Sequence, residues 1–343
     1  MRVGTFVLAA QFPGQGQGEA LHRAVRSAEI TEEAGLDSVW LAEHHFVPYG
    51  TCPSAITLAA LVLGRTHRIR VGTAVSVLPT THPVALGEQA ALLHVTSGGR
   101  LTLGVGRGGP WVDLEVFGAG LEAYEKEYPQ SLDLLLRWLR DPAVAGSGGR
   151  FDFREVPVVP RPSECLTETG GGPEVLVACT SPASVRMAAE RGLPMLLGMH
   201  VGDEEKAEMV ALWRQHARTV GRPADEIRAA AHVSAGVCQI ADRRTDAAET
   251  LMKAMPGWLK QGLDAHVTVD GRERRMRDPL AYTELLCGLH PVGTPRLCAD
   301  RLAATSERTG VSRFALLVEG SGDLAATEEN VRRLGAEVLP QLT

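Results

Sequence analysis

Long apolar runs are missing from this chain of 343 residues, and nothing in it approaches the roughly 18 residues that a membrane-crossing helix requires. Paired cysteines are missing too. The six that occur, Cys52, Cys165, Cys179, Cys238, Cys287 and Cys298, are widely spaced without a CxxC, which argues against a disulfide framework or a zinc knuckle and suits a reducing cytoplasm. Positive charge is not in excess: the formal net charge is −6, so a nucleic-acid partner is not expected. Aromatic residues are scarce at 5%. The first residues, Met1-Arg2-Val3-Gly4, lead into an apolar strand with no signal-peptide cleavage pattern. A soluble cytoplasmic protein is the expectation.

What is present alternates. Short apolar runs at Val3–Ala9, Ser38–Ala42, Arg70–Ala74, Leu101–Val105, Glu174–Ala178, Met195–Leu197, Ala231–Ile240 and Phe314–Val318 read as strands. Amphipathic stretches between them read as helices: Glu19–Ala34, Ala55–Leu63, Val84–Thr96, Tyr124–Leu139, Ala183–Arg191, Glu204–Val220, Asp246–Gln261 and Arg296–Thr309. A strand–helix unit about every 40 residues implies parallel strands buried on both faces. Eight such units favour a single (β/α)8 TIM barrel over residues 1–343, a doubly wound sheet being the alternative. Two stretches fit no unit: 141–172, rich in Gly and Pro and read as an irregular insertion, and 262–278, polar and charged, read as a mobile lid or equally a solvated loop.

In a barrel, residues just past the C-terminal strand ends face the active site. After the second strand stand Glu43, His44, His45 and Phe46, and histidine is the side chain best suited to move protons near neutral pH. The plain alternative is a structural histidine in the rim; a metal site would need partners such as His82 and His200, yet no HExxH or HxH spacing occurs. After the third strand, Ala74 and Val75 leave room for a flat ring, though core packing explains them as well. After the fourth, Gly104-Val105-Gly106-Arg107-Gly108-Gly109 matches GxGxxG in form. Pro110-Trp111 follows instead of a helix, so a dinucleotide fingerprint is rejected. The useful residue there is Arg107, a cation among glycines that let a ligand approach, unless it is merely a surface arginine. After the fifth come Cys179, Thr180, Ser181, Pro182, Ala183 and Ser184, hydroxyls at a helix start that form an N-cap and equally an anion seat.

Several stretches carry a resemblance: 33–46 (EAGLDSVWLAEHHF), 71–74 (VGTA), 77–83 (VLPTTHP), 99–101 (GRL), 192–195 (GLPM) and 291–295 (PVGTP). Through them the chain resembles the bacterial luciferase-like monooxygenases across nearly its whole length. The resemblance implies an FMN-linked barrel in which reduced flavin (FMNH2), delivered by a separate NAD(P)H:flavin reductase, captures O2 as a C4a-hydroperoxide and oxidises a small organic substrate. It implies His44, with His45 beside it, as catalytic; Arg107, Cys179, Thr180, Ser181 and Ser184 as the FMN-phosphate site; and Glu43, Ala74 and Val75 as further flavin contacts, with a non-prolyl cis peptide at Ala74-Val75. It also implies a homodimer, pairing through helices near the 43–46 loop and Val84–Thr96, where Ala90-Ala91-Leu92-Leu93 is apolar.

Departures set this chain apart. Luciferase has a reactive cysteine where Gly106 stands, an acidic residue where Cys179 stands, and a tryptophan near Met199 or His200. A bulkier or more polar substrate than a long-chain aldehyde is therefore expected, such as an aromatic polyketide in secondary metabolism. The alternatives are a deazaflavin-dependent hydride-transfer enzyme on the same fold and a non-catalytic flavin-binding protein.

Overall fold

The computed structural model describes residues 1–165, 171–272 and 277–342. Eight parallel strands close into a barrel: β1 (Arg2–Val7), β2 (Ser38–Leu41), β3 (Arg70–Thr73), β4 (Leu101–Gly106), β5 (Glu174–Cys179), β6 (Met195–Leu197), β7 (Val233–Val237) and β8 (Arg313–Leu317). Each pairs with its sequence neighbour, and β1 pairs with β8 to complete the ring. The (β/α)8 barrel expected from the repeat of strand and helix is the observed architecture.

Strand alternation sorts the core into two shells. Phe6, Leu8, Trp40, Leu176, Leu196, Ala235, Ala315 and Leu317 turn inward and pack on one another. Val39, Leu41, Val71, Leu103, Val105 and Val177 turn outward onto the helices. The principal helices are α1 (Gln17–Glu33), α2 (Ala55–Arg65), α3 (Pro83–Thr96), α4 (Tyr128–Arg140), α5 (Pro182–Glu190), α6 (Asp203–Thr219), α7 (Arg244–Asp264), α8 (Pro279–Leu289), α9 (Pro295–Thr309) and α10 (Leu324–Arg333). Trp40 plugs the barrel's middle: a Cβ on Gly72 would lie 2.3 Å from its ring, so only glycine fits there. Below it, Arg313 reaches Glu174 at 2.7 Å and covers the Trp40 ring, sealing the N-terminal end.

Some elements differ from the sequence reading. The stretch 141–172 is not wholly irregular. Ala143–Gly146 and Phe153–Pro157 form an antiparallel hairpin, because Val144 and Phe151 find an apolar seat against Leu134 and Trp138. Residues 166–170 of that stretch lie outside the described residues. The helix expected from Tyr124 starts at Tyr128, where Pro129 occupies its first turn, after a short separate helix at Gly120–Glu125. The run Ala231–Ile240 leaves the barrel at Cys238, and Gln239–Ile240 pairs with Val292–Gly293 instead. Helices α8 and α10 lie outside the amphipathic stretches read from the sequence. Of the proposed lid 262–278, residues 273–276 lie outside the described residues. Its middle is clasped: Val112 N–H donates to Val267 O and Val269 N–H to Pro110 O, both at 2.9 Å.

Candidate active site

The uppermost inward positions, two residues beyond Trp40, Gly72, Gly104, Leu176 and Leu196, are Ala42, Ala74, Gly106, Ala178 and Gly198. All are small, so the C-terminal mouth has a low floor over β2 to β6. Ala74, Val75, Ala178 and Gly198 are only half-buried there. The Ala74-Val75 peptide is cis, as the resemblance implied. A Cβ on Gly106 would come within 2.5 Å of Val75 Cγ2, which explains why no cysteine or other side chain occupies that position.

Glu43, His44 and His45 leave β2 on this rim. Glu43 spends both oxygens on backbone: Oε2 accepts from Ala55 N and Oε1 from Val77 N, each at 2.9 Å. It thereby ties the start of α2 to the segment after the cis peptide. His45 Nε2 stands 3.6 Å from Glu43 Oε1 and has no hydrogen-bond partner, and its ring packs at 5.0 Å from Phe117. Phe46, at a positive φ of 61°, projects outward and stacks on Phe117 at 6.0 Å.

His44 is enclosed. Its ring meets the Tyr49 ring edge-on at 5.0 Å, and its Nδ1 is buried with no partner. Burial, reinforced by His266 and His45, pushes its pKa down to about 3. The resting imidazole is therefore neutral, an acceptor that holds a proton well only when negative charge arrives beside it. Around it stands an aromatic wall that sequence reading missed. Tyr49 stacks on Trp258 at 4.9 Å, and His266 packs against Trp111 at 4.6 Å. No spacing links these residues along the chain; the clasp between 110–112 and 267–269 brings His266 to Trp111, while Trp258 Nε1 donates to Tyr49 O at 3.0 Å.

The expected anion seat is assembled as follows. Val105 pairs with Val177, and Arg107 and Cys179 each stand two residues past that pair, at the ends of the adjacent strands β4 and β5. The Arg107 guanidinium lies over the Tyr124 ring at 4.1 Å. Ser181 caps α5, accepting from Ser184 N at 3.3 Å, while Ser184 Oγ accepts from Thr180 N and Ser181 N at 3.2 Å each. Thr180 is exposed at this helix start. Cys179 differs from the rest. Its side chain packs in the outer shell and donates to Val177 O, and burial pushes the thiol up to about 12, so it presents no charge to a ligand. Tyr128, at the start of α4, was not singled out in the sequence; its hydroxyl is buried without a partner. Near the mouth of β6, Met199 is buried and its carbonyl accepts from His290 Nε2 at 2.6 Å, while His200 is half-buried.

Two negative findings bound the chemistry. Among the described residues no group of three or more His, Cys, Asp or Glu could hold a metal ion, and no helix is long and apolar enough to cross a membrane.

The sequence profile of luciferase-like monooxygenases matches residues 1–313. The alkanal monooxygenase alpha chain of Photorhabdus luminescens is 27% identical over 359 residues, covering 100% of this chain and 98% of that one. Among solved structures, monooxygenase RslO1 from Streptomyces bottropensis superposes with a TM-score of 0.84 at 22% identity, each chain covered in full. The oxygenating constituent of 3,6-diketocamphane monooxygenase from Pseudomonas putida, a type II Baeyer-Villiger enzyme in complex with FMN, gives 0.76 at 19%, covering 100% of this chain and 99% of that one. An F420-dependent secondary alcohol dehydrogenase with an F420-acetone adduct shares the fold at 0.73 and 15%, with coverage of 100% and 99%. The chain belongs to the luciferase-like monooxygenase family.

Proposed function

We propose that this enzyme takes reduced FMN from a separate NAD(P)H:flavin reductase and uses it with O2 to oxygenate a small organic substrate. The observation that carries the reading is the juxtaposition of Arg107 with the capped start of α5, beside a floor of small residues. The groove suits a planar ring and the helix start suits its phosphate, since the helix dipole and the hydroxyls of Thr180, Ser181 and Ser184 favour an anion there. Reduced flavin, when bound, supplies the electrons that activate O2.

The chain's own residues do the rest. Arg107, Thr180, Ser181 and Ser184 hold the phosphate, Cys179 contributing backbone alone. Ala74 and Val75 support the ring, and Glu43 fixes the segment carrying them. His44 accepts a proton at its neutral imidazole once negative charge develops nearby, and His45 stands next to it as the secondary acid–base group. Tyr49, Trp111, Trp258 and His266 wall the pocket against water. Exposed Phe46 and Phe117 at the mouth support a bulky substrate of the aromatic polyketide class. The six free cysteines support a cytoplasmic location. Exposed Leu61 on α2 and Leu92 on α3 support a homodimer across those helices.

Isotopically labelled O2 supplied with reduced FMN, the reductase and candidate metabolites tests the reaction. One labelled oxygen in the product is expected. Turnover with a reduced deazaflavin and no O2 uptake would instead make this a hydride-transfer enzyme.

A further inference from the structure

Tyr128 is the first residue of α4 and is buried in the outer shell between strands and helices. A phenol in such a place ordinarily finds a hydrogen-bond partner, because a buried unmet donor forfeits its hydration. The Tyr128 hydroxyl has none. The ionisable groups that act on it are Cys179, then Arg107, then Arg191. Two of these are already engaged. Cys179 Sγ donates to Val177 O at 3.5 Å. Arg191 gives Nε and Nη2 to Asp133 and Nη1 to Met187 O. Arg107 is different: among the described residues it has no carboxylate partner, and its guanidinium rests on the ring of Tyr124. A buried donor without an acceptor thus lies within electrostatic reach of a cation without a carboxylate partner, and that cation follows the strand adjacent to the one that runs into the capped start of α5. All three lack the same thing.

We infer that Tyr128 is a further ligand of the flavin phosphate, donating its hydroxyl to a phosphate oxygen between Arg107 and the start of α5. This rests on the reduced-FMN reading above. Burial raises the phenol well above its ordinary range, so it stays protonated and can only donate or accept as a neutral hydroxyl. A hydroxyl placed here discriminates a phosphorylated flavin from a bare one while touching none of the redox ring. Its contribution is to affinity and not to the rate of the oxygen reaction.

Tyr128→Phe keeps the ring and removes only the unpartnered oxygen, so the fold is retained. Anaerobic titration with reduced FMN and with reduced riboflavin provides the test. For the variant the dissociation constant for FMN is expected to rise roughly tenfold or more, as for loss of a hydrogen bond to a charged group, with riboflavin unchanged. Without ligand, the melting temperature of Tyr128→Phe should equal or exceed that of the parent, because no bond is lost. An unchanged FMN constant in the variant, as when a buried water satisfies the hydroxyl, overturns the assignment. So does an equal loss for both flavins, which would make the ring's packing responsible. If the parent itself binds both flavins alike, the phosphate reading fails and this inference falls with it.

Discussion

Glu43 Oε1 accepts the Val77 backbone N–H at 2.9 Å, joining the end of one barrel strand to the segment that follows the Ala74-Val75 peptide of the next. The other oxygen is given to Ala55 at the start of α2. A carboxylate thus acts as a clamp beneath the floor of small residues. Glu43→Ala leaves two N–H groups unmet and should cost about 2–4 kcal/mol of stability, from hydrogen bonds to a charged acceptor. Glu43→Gln keeps one acceptor oxygen and should cost roughly half as much. Urea unfolding measures both; an alanine variant as stable as the parent would show that the clamp is idle.

His44 carries the proton-transfer proposal. With a pKa near 3 the free imidazole is neutral throughout the working range, so its own titration puts no limb on the activity profile between pH 5 and 8. His44→Ala should slow turnover by roughly 10²–10⁴-fold and leave reduced-FMN affinity within a few-fold, since the proposed phosphate contacts are elsewhere. Rapid mixing of the reduced complex with O2, followed by product yield, reads both quantities. Near-normal turnover in His44→Asn would reduce His44 to a rim hydrogen-bonder and move the role to His45.

Lys206 offers a stability test away from the site. It is buried on α6, with Nζ donating to Ser234 Oγ and Ala235 O at 2.9 Å each. Burial, partly offset by Asp203, lowers its pKa from 10.5 to about 8. Between those values the unfolded chain takes up a proton that the folded chain declines, so stability falls as pH falls through the window, and the deficit is complete below about 8. Lys206→Met removes the deficit. It should stabilise by about 1–3 kcal/mol at pH 7, with the gain shrinking towards pH 10.5. An equal effect at both pH values in urea unfolding would place its cause in packing.

The assembly proposal is checked by sedimentation. Leu92 is 51% exposed on α3 and Leu61 47% exposed on α2. A dimer at micromolar concentration is expected, and Leu92→Asp should shift it towards monomer. Monomer alone in the parent chain would refute the pairing.

Much of the barrel was legible because its signals are local. Strands such as Met195–Leu197 are short apolar runs, and helix starts such as Ser181-Pro182 carry their own caps. His44, Arg107 and the Thr180–Ser184 turn were legible for the same reason: each follows closely on a strand end. What stayed hidden depends on contacts distant in sequence. His266 meets Trp111 only through the pairing of 110–112 with 267–269. Tyr128 looks like any apolar helix residue until its hydroxyl is seen to lack a partner. Cys179 shows the converse: it is the last residue of β5, and strand alternation turns its side chain away from the mouth.

The central claim is that the mouth of the barrel holds a phosphorylated reduced flavin through Arg107 and the start of α5. Anaerobic titration of the parent chain with reduced FMN and reduced riboflavin tests it most directly. Each charge-assisted hydrogen bond to phosphate is worth roughly 1.5–3 kcal/mol, so FMN should bind at least tenfold more tightly, and Arg107→Ala should remove much of that difference. Equal affinity for the two flavins would contradict the account.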